Sequence, residues 1–252
     1  CVIAYGDDDN CVGYLVGKEN KGLANMFTMM NNERLAVGMQ GVAIADRSFQ
    51  QALDYARDRK QGKSMRADAG AEPSIIEHAD VRRMLMTMKA HVEAVRAVAY
   101  LTAGCIDVAG HHTDDVEQTA ANDLVELLTP IAKSWSTDIG FEVASIGVQV
   151  HGGLGFIEET GAAQYMRDAR IAPIYEGTNG IQAMDLVMRK LPLKDGSVVR
   201  NFIAHMNEID DVLKNSGNAD LDFVRPLLLN AIDTLSEATE WMLNSHAQSP
   251  NS

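Results

Sequence analysis

Apolar residues recur along this chain at steps of three and four, a spacing that only a helix turns into a continuous face. Val81, Leu85, Met88, Val92, Val95 and Ala99 alternate four and three, the seam of an antiparallel bundle, and predict a helix from about Ser74 to Ala109. Leu35, Met39, Val42, Phe49, Leu53 and Ala56 fall on one side of an earlier helix, from about Leu23 to Lys60. Within it Gly38, Gly41, Ala43 and Ala45 let a neighbouring backbone come close, the glycines at some loss of helix propensity. Six prolines in 252 residues and an aromatic share of 6% leave few breaks and few strand formers. The expected class is mainly α.

A third periodic stretch meets Thr129-Pro130, which reads as an N-cap followed by proline at the first helical position. The helix it opens is expected to run through Ile131, Trp135, Ile139 and Val143 to about Val150, stopped by Gly152-Gly153. A short helix follows from Thr160 to about Ile171, ended by Pro173. Ile174 to Gly180 forms a turn, and Ile181 to Leu191 is helical again. Past Pro192 two amphipathic segments are expected. One is built on Val199, Phe202, Met206, Ile209 and Leu213, the other on Leu227, Ala231, Leu235 and Met242, before a frayed end at Ser249-Pro250-Asn251-Ser252. The front differs. Cys1–Tyr5 and Cys11–Val16 flank Gly6-Asp7-Asp8-Asp9-Asn10 and predict two strands around an exposed acidic turn. That turn lacks the alternating ligands and terminal Glu of a calcium loop.

Charge and cysteine usage narrow the functions. Lys and Arg total 22 against 35 Asp and Glu, a net charge of −13, which argues against a nucleic-acid partner because counterion release needs a basic face. No apolar stretch approaches the roughly eighteen residues of a membrane span. Cys1, Cys11 and Cys105 form neither a disulfide framework nor a zinc knuckle, and fit a reducing compartment. The chain opens at Cys1 without a signal-peptide pattern and reads as a fragment.

The chemistry-bearing clusters weigh differently. Gly152-Gly153-Leu154-Gly155 follows a helix, not a strand, so it reads as a helix stop, although its backbone N–H groups suit a pyrophosphate. His111-His112 reads as a solvated loop, and Arg57-Asp58-Arg59-Lys60 and Arg82-Arg83 as solvated basic faces. Glu33, next to Arg34, reads as an ordinary ion-pairing residue. Glu176 stands between an apolar Pro-Ile-Tyr approach and a Gly-Thr turn that opens a helix, where partial desolvation suits a general base. On position alone a surface-turn glutamate is the commoner reading.

Taken in order, the blocks form a recognisable set. Asn32-Glu33-Arg34-Leu35 heads the first helix and Tyr55-Ala56-Arg57-Asp58-Arg59 ends it. Gln149-Val150-His151-Gly152-Gly153, Met166-Arg167-Asp168-Ala169-Arg170 and Tyr175-Glu176-Gly177-Thr178 follow. The chain resembles the C-terminal part of an acyl-CoA dehydrogenase over roughly residues 1 to 191, and its tail resembles the extra helical region of the larger bacterial members. The resemblance implies the end of a middle β domain at 1–22, a C-terminal four-helix bundle at 23–191 and a helical extension at 192–252.

It also implies an FAD enzyme that converts an acyl-CoA thioester to the trans-2-enoyl-CoA in the cytoplasm of a bacterium, as a homodimer or homotetramer, passing electrons to an electron-transfer flavoprotein. Glu176 is then the base, and its backbone N–H helps bind the thioester carbonyl. Asn31, Arg34, Tyr175 and Gly177 line the acyl-CoA site. Thr178, at a helix start, faces FAD phosphate. Arg59, Gln149, Gly152 and Gly153 hold the FAD of a neighbouring subunit.

Three positions depart from the family pattern. Arg59-Lys60-Gln61-Gly62 lacks an aromatic residue before its glycine, and Gly180 stands where Gln is common. Glu33 occupies the position that carries the base in some branched- and long-chain members, so this chain has a glutamate at both places. An oxygen-using acyl-CoA oxidase and a non-catalytic helical assembly module are the competing readings.

Overall fold

The computed structural model describes residues 1–63 and 72–248, so the expected frayed end at Ser249–Ser252 lies outside the described residues. Three long helices carry the fold: α1 (Gly22–Asp58), α2 (Ala79–His111) and α3 (Asp115–His151). α1 and α3 run parallel, because Gly38 lies against Ala132, Gly41 against Ser136 and Gly147 against Ser48. α2 runs the other way, with Ile75 just before it bonded to the Arg59 carbonyl at 2.7 Å and Arg96 paired with Asp46 at 3.1 Å. The seam residues Leu85, Met88, Val92, Val95 and Ala99 are all buried, and they form one core with Val42, Ala52, Ala56, Ile139 and Val143.

Shorter helices complete the chain: α4 (Gly153–Phe156), α5 (Ala162–Ala169), α6 (Asn179–Asp185), α7 (Ser197–Asn207), α8 (Ile209–Lys214) and α9 (Ala219–Gln248). α5 and α6 pack on α3. A π-helical turn, Leu186–Lys190, continues α6. The segments after Pro192 do not stand apart. Val198, Val199, Ile203 and Ile232 share a second core with Leu127 and Leu191.

Four expectations fail for physical reasons. Thr129-Pro130 does not start a helix; α3 runs through Pro130 unbroken from Asp114, whose carboxylate caps the Val116 N–H at 2.8 Å. An interior proline costs about 3 kcal/mol, but Leu127 and Leu128 before it and Ala132 after it are all buried, which holds both halves in register. The residues read along α3 are only half right: Ile139 and Val143 are buried, but Trp135 is 38% exposed, and the buried face takes in Ala132, Lys133, Ser136, Thr137 and Gly140 instead.

The two strands at the front do not form. Only their turn does, with the Asp9 N–H donating to the Gly6 carbonyl at 3.1 Å and both residues at positive φ. A lone pair of strands with no apolar layer beneath it is marginal in water, and Val2, Tyr5, Tyr14 and Val16 are exposed. Finally, Leu227, Leu235 and Met242 of α9 face outward, whereas Ile232 and Thr239 are buried.

Candidate functional site

The Tyr175-Glu176-Gly177-Thr178 segment is a closed turn between α5 and α6. The Asn179 N–H donates to the Pro173 carbonyl at 3.0 Å, and the Thr178 hydroxyl donates to the same oxygen at 3.2 Å. Within this loop Glu176 has φ 52° and Gly177 φ 84°. Glycine occupies that region freely, but a glutamate there carries strain of order 1–3 kcal/mol that the surroundings must sustain. Glu176 is half-buried. No acceptor among the described residues takes its N–H.

The surroundings that hold the turn are polar, from exposed Asp138 through half-buried Asn179 to buried Thr137 and Lys133. Asn179, first residue of α6, donates from Nδ2 to Asp138 Oδ1 at 2.8 Å, to Thr137 Oγ1 at 3.0 Å and to the Ser134 carbonyl at 3.1 Å. Its Oδ1 accepts from Lys133 Nζ at 2.9 Å. Lys133 is wholly buried. Burial pulls its ammonium from 10.5 down to about 8; Arg34 pushes the same way, while Asp138 and Glu176 resist.

Arg34, on α1, is buried too. Its Nη1 pairs with Asp185 Oδ2 at 3.0 Å, and Arg189 approaches the other oxygen of that carboxylate, also at 3.0 Å. Asn31 Oδ1 lies 3.5 Å from Arg34 Nη1. Gln182 donates to the Gly177 carbonyl at 3.0 Å. Gln182 Oε1 and Arg34 Nε are buried with no hydrogen-bond partner among the described residues; Gln182 lies where a Gly177 side chain would be, and Arg34 stands in ordinary contact beside it. Tyr175 donates its hydroxyl to Gln40 Oε1. The five residues expected at the base and acyl-CoA end, Asn31, Arg34, Tyr175, Glu176 and Gly177, thus gather at one place, together with Thr178, which was expected at FAD phosphate.

The other four do not join them. Arg59 follows the last residue of α1, some 37 Å along that helix from Arg34 at 1.5 Å per residue. There Tyr55 stacks on His151 with centroids 4.4 Å apart, which brings the end of α1 beside Gln149, Gly152 and Gly153 at the end of α3. All four are exposed, and no carboxylate among the described residues pairs with Arg59.

Glu33 is exposed, and Arg34 pairs with Asp185, so the expected ion pair between these neighbours is not made. Successive helix residues point about 100° apart, too far to face each other. The solvated readings of His111, His112, Arg57 and Arg83 hold: all are exposed, and the two arginines pair locally with Asp54 and Asp80. Among the described residues no His, Cys, Asp and Glu cluster suits a metal, and no helix is long and apolar enough to cross a membrane. Sequence reasoning missed Lys133, Asn179, Gln182 and Asp185. A lysine on the buried face of α3 was the available signal.

Residues 20–191 match the model of the acyl-CoA dehydrogenase C-terminal domain. The chain belongs to the acyl-CoA dehydrogenase family. It is 46% identical to 3-methylmercaptopropionyl-CoA dehydrogenase of Ruegeria pomeroyi over 96% of this chain and 41% of that protein, and 36% identical to a butyryl-CoA dehydrogenase of Syntrophomonas wolfei over 85% and 36%. It therefore spans about two fifths of the length of these dehydrogenases. Among solved structures, butyryl-CoA dehydrogenase of Megasphaera elsdenii matches at TM-score 0.52 and 28% identity over 68% of this chain and 39% of that one. Caenorhabditis elegans ACDH-11, solved in complex with C11-CoA, matches at 0.64 and 22% over 88% and 37%, a likeness of fold that takes in more of the chain. The helical domain of the family is the fold seen here.

Proposed function

We infer that this chain is the C-terminal part of an FAD-dependent dehydrogenase that turns an acyl-CoA thioester into the trans-2-enoyl-CoA, with Glu176 as its base. The observation that carries this is Glu176 held at positive φ on a turn tied down by Asn179 and Gln182. A strained carboxylate kept in place by buried polar groups is a group whose position matters. Glu176 takes the α-proton onto its carboxylate, and its backbone N–H, without an acceptor among the described residues, stabilises charge on the thioester oxygen. Arg34 and Asn31 lie alongside for the substrate.

The far end fits FAD by its donor set. Arg59 and Gln149 are exposed, and Gly152 and Gly153 have open space where a Cβ would stand, so a pyrophosphate has a cation and bare backbone to approach. When bound, FAD supplies the acceptor for the hydride that leaves the β-carbon. Because the two ends are some 37 Å apart along α1, Arg59 and Gln149 serve a neighbouring subunit's FAD in a homodimer or homotetramer. The names of relatives at 46 and 36% identity support a short, unbranched acyl group. The Etf complex named for a relative from Acetobacterium woodii, 29% identical, supports an electron-transfer flavoprotein as electron acceptor.

The test is stopped-flow flavin reduction by butyryl-CoA in the full-length protein. Glu176→Gln should slow it by about a hundred- to ten-thousandfold, the usual loss of a general base, with acyl-CoA still bound. Glu33→Gln should change it by only a few-fold. The reverse order moves the base to Glu33.

A further inference from the structure

Lys133 is the largest side chain among those wholly buried, and the proposed reaction leaves it without a part. It lies on the face of α3 that meets α1, where an ammonium is costly and an apolar residue would pack without penalty. Among the described residues its one hydrogen-bond acceptor is Asn179 Oδ1. Asn179 makes its remaining side-chain bonds to Ser134, Thr137 and Asp138, all on α3, while its N–H closes the turn onto Pro173. Among the described residues the side-chain hydrogen bonds from the turn to α3 thus run through this one amide, whose oxygen Lys133 holds together with Thr137. Charged groups surround the ammonium from every element packed on it: Asp138 on α3, Arg34 on α1 with its partner Asp185 on α6, and Glu176 on the turn.

We propose that Lys133 is a positioning residue for Glu176: through Asn179 it fixes the turn to α3. The proposal rests on Glu176 being the base. A hydrogen bond from a charged donor holds geometry more firmly than a neutral one.

The experiment compares the full-length protein with its Lys133→Met, Asn179→Ala and doubly substituted forms. Hydrogen exchange of the amides from Ile174 to Asn179 should speed up roughly ten- to a hundredfold in Lys133→Met, the range for losing a bond to a charged group, with α2 unchanged. The double variant should exchange little faster than either single one, because both break the same tie. In flavin reduction Lys133→Met and Asn179→Ala should both lower the limiting rate with acyl-CoA binding nearly kept.

Unchanged turn exchange in either single variant overturns the proposal, as does an unchanged limiting rate in Lys133→Met. If Lys133→Met does not fold, Asn179→Ala decides through turn exchange alone. The exchange arm does not depend on which group is the base. An active Glu176→Gln form would sink the base assignment, while slow, unaltered exchange would sink only the role of Lys133.

Discussion

Gly41 of α1 and Gly140 of α3 meet backbone to backbone: a Cβ on Gly140 would stand 2.9 Å from both the Cα and the carbonyl oxygen of Gly41. A Cβ on Gly41 would stand 2.3 Å from the Ser136 carbonyl. Ordinary helix pairs keep their axes 8–10 Å apart because side chains separate them. Here the glycines remove that spacer, so Arg34 from one helix and Lys133 from the other reach the same turn.

Gly41→Ala should therefore destabilise the bundle by at least about 1–3 kcal/mol, the usual range for overpacking. Gly104 of α2 has open space at its Cβ and a helical backbone. Gly104→Ala should be neutral or stabilise by up to about 1 kcal/mol. Denaturant titration of both variants checks the contrast, and equal midpoints would refute the close-approach argument.

Gly177→Ala places a Cβ 2.6 Å from Gln182 Nε2 on a backbone at φ 84°. The left-handed region costs an L side chain about 1–2 kcal/mol, and Gln182, itself wholly buried, has no room to retreat. The turn should shift and flavin reduction should fall at least tenfold, with the melting temperature lowered by only a few degrees. Rapid-reaction kinetics and calorimetry on one preparation give both numbers. An unaffected rate would show that the turn tolerates displacement.

Lys133 carries a pH signature in stability. Held at about 8 when folded and free to return to 10.5 when unfolded, it binds fewer protons in the folded chain between those values. Stability due to this group is thus lowest below about pH 8 and rises through the window, by up to about 3 kcal/mol. Unfolding free energies of the full-length protein and of Lys133→Met, measured at about pH 7 and about pH 10, should shift in favour of the lysine form as pH rises. A constant difference would place Lys133 outside this account.

Arg59→Met should weaken FAD retention without touching the turn that holds Glu176, because the two lie at opposite ends of α1. The readout is the flavin-to-protein absorbance ratio after gel filtration of the full-length protein. Retention equal to wild type would remove Arg59 from the cofactor site.

The α1 and α2 faces were readable because apolar residues mark them: Leu85, Met88, Val92 and Val95 repeat on schedule and are buried on schedule. α3 was misread where its buried face is small and polar. Ser136, Thr137 and Gly140 look like surface residues in sequence, and become core only because α1 comes close enough to cover them. Pro130 was read as a start since local chemistry favours that, whereas packing on both sides outweighs it. Family blocks located Glu176 and Arg34. Nothing local could announce Asp185 as the partner of Arg34, a pairing across 151 residues made by the fold.

The separation of the two ends along α1 also has a genetic form. In a twofold pair built as proposed, each site takes its base from one chain and its cofactor grip from the other. A Glu176→Gln chain paired with an Arg59→Met chain then makes one site that carries both lesions and one that carries neither. Two inactive alleles expressed together would restore growth that neither supports alone, and the same two lesions on a single chain would leave its unaltered partner without one intact site.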